Sequence, residues 1–142
     1  MYKNIIYRCY SSVKPKLNLT PITVTDNAWK KIRNILEVHN DNWGFLFSAK
    51  GGGCGGFNYC FNPINEKKYT KIFNESKIKP SIILDDTCKV MIDPYSEMFL
   101  LGTTIDYVKE DYSKNIFESK FVFKPNKDLA TTCGCGISFS PK

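Results

Sequence analysis

Three cysteines in this chain sit where a sulfur ligand could be used. Cys54 lies in "GGGCGGF", and Cys133 and Cys135 lie in "CGCGISF" near the end. A bridge between Cys133 and Cys135 would close too small a ring to reach the Cα separation of about 5.5 Å that disulfides prefer. The threonines and serines around them argue against core packing. Glycines beside all three permit backbone turns that other residues resist, and they leave amide N–H groups open to an anion such as a thiolate or sulfide. Thiolates are soft ligands that select zinc, copper(I) or iron–sulfur clusters. Three candidates are one short of the four that a structural zinc or a cluster usually takes. A dimer would supply six to a shared site, and an exposed, underligated site suits cargo held temporarily.

Other chemistries fit less well. Gly51, Gly53 and Gly56 satisfy G-x-G-x-x-G, but a dinucleotide site needs a helix next, and "FNYCFN" is strand-like. Asp93, Glu97 and Asp106 have no nucleophile or histidine beside them. A Cys133–Cys135 redox pair is conceivable but leaves Cys54 and its glycines without a role. Cys60 and Cys88 are expected as buried small hydrophobes, His39 as a helix-end residue, Tyr59 and Tyr107 as core or sheet residues, and Phe139 as a cover for the site.

The elements that must position these residues follow from periodicity. "TVTDNAWKKIRNILEVHND" predicts a helix capped by Thr25 or Asp26, with Ala28, Ile32, Ile35 and Leu36 on one face. "WGFLFSAK" and "FNYCFN" predict strands, the latter with Phe57, Tyr59 and Phe61 alternating. "SIILDD" and "CKVMID" predict two more around an acidic turn. "PYSEMFLLG" predicts a short helix, "TTIDYV" a strand, and "IFESKFVF" a strand with Phe117, Phe121 and Phe123 on one face. Residues 62–80, charged and asparagine-rich, predict a long exposed loop or irregular hairpin. The expected fold class is α+β: a β-rich domain of mixed sheets in a compact sandwich, with one long N-terminal helix and one short helix.

At 142 residues with 42% hydrophobic content the chain is one domain with a real core. No apolar run approaches the roughly 20 residues of a membrane-spanning helix. Four of the six excess positive charges belong to Lys3, Arg8, Lys14 and Lys16, ahead of any acid. That placement speaks against nucleic acid, and with no spanning run no membrane partner is expected. Residues 1–20 have the basic, acid-free, hydroxyl-bearing make-up of a mitochondrial leader, with "RCYSS" resembling a processing site cut after Tyr10. Residues 21–142 form the domain. With Cys9 in the leader five cysteines remain, which fits free thiols in a reducing compartment, the mitochondrial matrix, better than a disulfide framework.

The motifs "ITVTDNAWKKI", "GGGCGGFNY", "VMIDPYSEMFLLGTTIDY", "FVFKPN" and "CGCGISF", in that order, resemble the A-type iron–sulfur carriers of the HesB/IscA family. The form "GGGCGGFNY" is most similar to the mitochondrial branch that acts late, in [4Fe–4S] protein maturation. The resemblance implies a protein that is not an enzyme. It implies a [2Fe–2S] or [4Fe–4S] cluster held by Cys54, Cys133 and Cys135 and transferred to apo-proteins. It implies as partners a second copy or a second A-type carrier, a monothiol glutaredoxin as donor, and the folate-binding-fold assembly factor. The alternative is a mononuclear iron or zinc chaperone. The stretch between Cys54 and "VMID" is longer than the family's usual one, and "KPNKDLATT" replaces a shorter approach to the last cysteines.

Overall fold

The computed structural model describes residues 20–52, 56–134 and 136–142. It holds two sheets. The larger has six strands in the order β4 (Ile82–Asp85), β5 (Cys88–Ile92), β2 (Asn42–Gly51), β3 (Phe57–Asn65), β9 (Ser138–Pro141), β8 (Ala130–Thr132). The smaller has three, in the order β1 (Thr23–Val24), β6 (Thr104–Val108), β7 (Lys120–Lys124). Both are mixed: β2 runs parallel to β5 and antiparallel to β3, and β1 runs parallel to β6. This is a β-rich fold with mixed sheets and few helices.

The alternation seen in the sequence fixes which faces meet. Phe45 and Phe47 of β2 and Tyr59 and Phe61 of β3 turn inward, where Phe121 and Phe123 of β7 pack on them. Ring centroids lie 5.4 Å apart for Phe47–Phe123, 5.0 Å for Tyr59–Phe123 and 5.0 Å for Phe61–Phe121. Offset and edge contacts of this kind add about 0.5–1.5 kcal/mol per pair beyond area burial. Helix α1 (Asp26–Val38) closes the core with buried Ala28, Trp29 and Ile32. Thr25 caps it: its hydroxyl accepts from the Ala28 N–H at 3.3 Å and donates to Asp106 on β6 at 2.6 Å. One residue therefore ends the loop, starts the helix and fastens it to the smaller sheet.

Three expectations are corrected. In place of one long N-terminal helix and one short one, there are three helices and a 3-10 turn (Tyr112–Lys114) among the described residues. Half of segment 62–80 is helix α2 (Glu66–Glu75), capped by the Asn65 side chain, which accepts from the Lys68 N–H at 2.9 Å. No residue of α2 is buried. The helix is held instead by Tyr69 stacked on Trp43 at 3.9 Å between ring centroids, and Tyr69 in turn meets Phe73. The third helix, α3, is Glu97–Leu100. The strand foreseen in "IFESKFVF" begins only at Lys120, leaving Phe117 exposed. Cys133 lies in the turn of a β8–β9 hairpin.

Candidate functional site

Two glycine turns carry the candidate ligands. The first joins β2 to β3. Gly51 and Phe57 are the last paired residues, and the Gly52 N–H donates to the Gly56 carbonyl at 2.9 Å. Gly52 (φ +124°) and Gly56 (φ +93°) adopt backbone that side-chain-bearing residues resist. Cys54 falls inside this turn and lies outside the described residues. The second turn joins β8 to β9. The Cys133 N–H donates to the Ser138 carbonyl and the Gly136 N–H to the Cys133 carbonyl, both at 2.9 Å, with Gly136 at φ +71°. Cys133 is half-buried and, against the expectation of free thiols, disulfide-bonded, so it becomes a thiolate ligand only on reduction. Cys135 lies outside the described residues.

Strand pairing relates the two turns. Phe57 of β3 is opposite Phe139 of β9, and Phe139 is opposite Thr132 of β8. That row of three strands places Phe57 and Thr132 roughly 10 Å apart. Gly56 leaves the row on one side and Cys133 on the other, roughly 12 Å from each other by the same strand spacings. The second turn is also tied to β3 directly. The Tyr59 N–H donates to the Ile137 carbonyl at 3.0 Å, and the Ser138 hydroxyl donates to Asn58 at 2.5 Å.

Beneath the row lies an aromatic floor. Phe139 is fully buried, stacked on Tyr59 at 4.3 Å and Phe57 at 5.7 Å, and Phe57 stacks on Phe99 of α3 at 4.8 Å. Phe139 thus supports the site from the core instead of covering it. Burial pushes the Tyr59 phenol up to about 12; Thr103 is close enough to temper that shift, yet among the described residues no group stands in hydrogen-bonding geometry to the Tyr59 Oη. At the end of β2, the Ser96 hydroxyl donates to Asp93 at 2.6 Å and lies 3.2 Å from the Ala49 carbonyl, which holds the approach to the first turn.

The remaining candidates take structural places. Cys88 is buried as expected, but Cys60 is only half-buried; both are free thiols. Asp93 accepts from the Ser96 N–H, Glu97 from the Ser81 hydroxyl and Asp106 from the hydroxyl of the α1 cap Thr25, so each carboxylate is engaged by a neighbouring loop or cap residue. His39 ends α1 through its own N–H to the Ile35 carbonyl. Among the described residues no three His, Cys, Asp or Glu side chains gather as a metal site. The Ser138–Asn58 tie had a visible signal: "ISFS" alternates apolar and polar with the period of a strand.

A family model described as iron–sulphur cluster biosynthesis matches residues 20–137. The iron–sulfur cluster insertion protein ErpA of Mannheimia succiniciproducens is 39% identical over 121 residues, which is 84% of this chain and 94% of that one. ErpA of Marinobacter nauticus is 35% identical over 123 residues, 85% of this chain and 97% of that one. Among solved structures, Escherichia coli SufA, described as involved in biosynthesis of iron–sulfur clusters, aligns with a TM-score of 0.62 at 24% identity, covering 87% of this chain and 96% of its own. IscA, solved with a [2Fe–2S] cluster, aligns with a TM-score of 0.62 at 18% identity, covering 85% and 98%. These two structures speak for the fold, and the family model and the ErpA sequences speak for the kinship. The chain belongs to the iron–sulfur cluster biosynthesis family.

Proposed function

We propose that this protein carries an iron–sulfur cluster as cargo, held by Cys54, Cys133 and Cys135, and passes it to apo iron–sulfur proteins. The observation that carries this reading is the arrangement of two glycine turns, each bearing candidate thiolates, around one β3–β9 strand pair. Soft thiolates bind [2Fe–2S] and [4Fe–4S] clusters. Glycines around them leave room for a recipient's thiolates to displace them one at a time, so transfer is ligand exchange and needs no catalytic group. Three thiolates per chain favour sharing the cluster with a second copy or a second carrier of the same type. A monothiol glutaredoxin as donor and a folate-binding-fold factor as co-worker complete the scheme. Residues 1–20, basic and free of acids, support delivery of the 21–142 domain to the mitochondrial matrix, in the branch that matures [4Fe–4S] proteins.

The test is anaerobic reconstitution of the reduced protein with iron and sulfide. A broad band near roughly 400 nm with matched acid-labile sulfide is expected. It should be lost in Cys54→Ala, Cys133→Ala and Cys135→Ala and kept in Cys88→Ala. A full cluster on Cys133→Ala overturns the ligand set. Iron without sulfide, or zinc in preference to iron, replaces the carrier with a mononuclear metal chaperone.

A further inference from the structure

Strand β6 is paired by β7 along its whole length, but β1 covers its other side only at Thr104 and Ile105. There the chain turns away into α1. A groove of about 670 Å³ opens between the helix and the uncovered half of β6, with Asn27, Lys30, Lys31 and Asn34 on one wall and Tyr107 and Lys109 on the other.

Hydrogen bonds on either side show which main-chain groups face the groove. The Thr25 N–H donates to the Ile105 carbonyl on the β1 side, while the Glu110 N–H donates to Ser119 on the β7 side. Alternation then turns Tyr107 and Lys109 toward the groove. The Tyr107 N–H is already taken by the Asp106 carboxylate at 2.8 Å. The Tyr107 carbonyl and the Lys109 N–H have no main-chain partner among the described residues. A strand edge in this state is a template for another extended chain.

Charge narrows the occupant. Asp106 is engaged by Thr25 and Lys124, and Asp111 by Ser113 and Lys114. Lys30 and Lys109 have no acidic partner among the described residues, and the Lys31 ammonium lies 5.3 Å from the centre of the Tyr107 ring. Against these three cations stands one uncommitted acid, Glu110. Residues 1–20 of the chain itself carry four cations and no acid, so they offer no carboxylate to these lysines. We propose that an extended, acid-bearing segment of a partner protein adds to β6 as a strand, its main chain on Tyr107 and Lys109 and its carboxylates on Lys30, Lys31 and Lys109. The surface is separate from the cysteine turns, so its test needs no cluster.

The probe is a capped octapeptide alternating glutamate and valine, titrated into the full-length ¹⁵N-labelled protein at low salt; a lysine–valine octapeptide is the control. Saturable shifts of the Tyr107 and Lys109 amides are expected with the acidic peptide alone. Lys30→Glu with Lys109→Glu should weaken binding tenfold or more. Lys109→Pro, which removes the edge N–H just beyond the β6–β7 register, should bind roughly three- to tenfold more weakly than Lys109→Ala, the worth of one hydrogen bond. No shift at millimolar probe overturns the proposal, as does equal affinity for the two Lys109 variants or for the two peptides. Amides at 107–109 already protected without peptide also overturn it, assigning the edge to a second copy if protection falls on dilution and to the chain's own residues if it does not.

Discussion

Replacing Phe139 tests whether the cysteine hairpin depends on the aromatic floor. The Phe139 ring is fully buried and stacks on Tyr59 and Phe57. Truncating a buried phenylalanine to alanine costs about 3–5 kcal/mol, combining lost transfer energy with the cavity left behind. The cavity here cannot close easily, because both stacking partners belong to β3 and are fixed by its pairing with β2. The upper part of that range, about 4 kcal/mol, is therefore expected for Phe139→Ala. Domains of this kind have only about 5–15 kcal/mol in total. With a urea slope of about 1–3 kcal/mol per molar, the midpoint should fall by more than 1 M. Two probes on the reduced protein separate global from local loss. Tryptophan fluorescence, from Trp29 buried in α1 and Trp43 on β2, follows the whole fold. Hydrogen exchange at the Tyr59 amide, which donates to Ile137, follows the hairpin and should speed up first. A variant within 1 kcal/mol of the parent, with the Tyr59 amide still protected, would refute the reasoning.

Three further outcomes are expected. Because the folded-state Tyr59 phenol sits near 12 against 10.0 in the unfolded chain, its contribution is complete below pH 10 and is lost as pH rises toward 12; the two-unit difference corresponds to at most about 2.7 kcal/mol. Tyr59→Phe should thus flatten the alkaline fall in urea midpoint at no cost near neutrality, and parallel alkaline limbs would contradict this. Gly44→Ala puts a Cβ 2.4 Å from the Lys89 carbonyl oxygen, forcing β2 and β5 apart at a cost of about 1–3 kcal/mol, whereas Gly134→Ala meets nothing within 4 Å; equal thermal midpoints would count against the close packing. The Thr25 hydrogen bond, followed by the Tyr107 N–H and Lys124, holds the Asp106 carboxyl below its usual value of 3.8, so its stabilisation is present above that pH and is lost as pH falls through the lower folded value. Asp106→Asn should lower stability at pH 7 by about 1–3 kcal/mol and flatten the acid limb, which a pH series of urea melts would show.

What the sequence disclosed was set by how strongly each element is patterned. Helix α1 announced itself because cap, first-turn acid and buried face all agree. β2 and β3 did so through aromatic residues at every second position. Helix α2 escaped because its apolar residues, Tyr69, Ile72 and Phe73, are few among lysines and bury nothing completely; its main anchor, Trp43, is more than twenty residues away and invisible to any local period. The C-terminal hairpin escaped because glycines and cysteines obscure its turn, although "ISFS" carried the strand signal. Of the candidate ligands, the sequence supplied the cysteine and glycine types, and only the strand register could relate the turn before Phe57 to the turn after Thr132.

The separation along β3 has an engineering consequence. The first glycine turn precedes Phe57, while α2 leaves from Asn65, eight residue steps and roughly 27 Å away along a rigid strand. The helix surface is accessible on its lysine side, so a fluorophore attached at Lys67 or Lys71 would report on docking and tumbling from well away from the first glycine turn. The same spacing makes α2 a splice point, where a reporter domain could be grafted and cluster exchange watched at the other end of the strand.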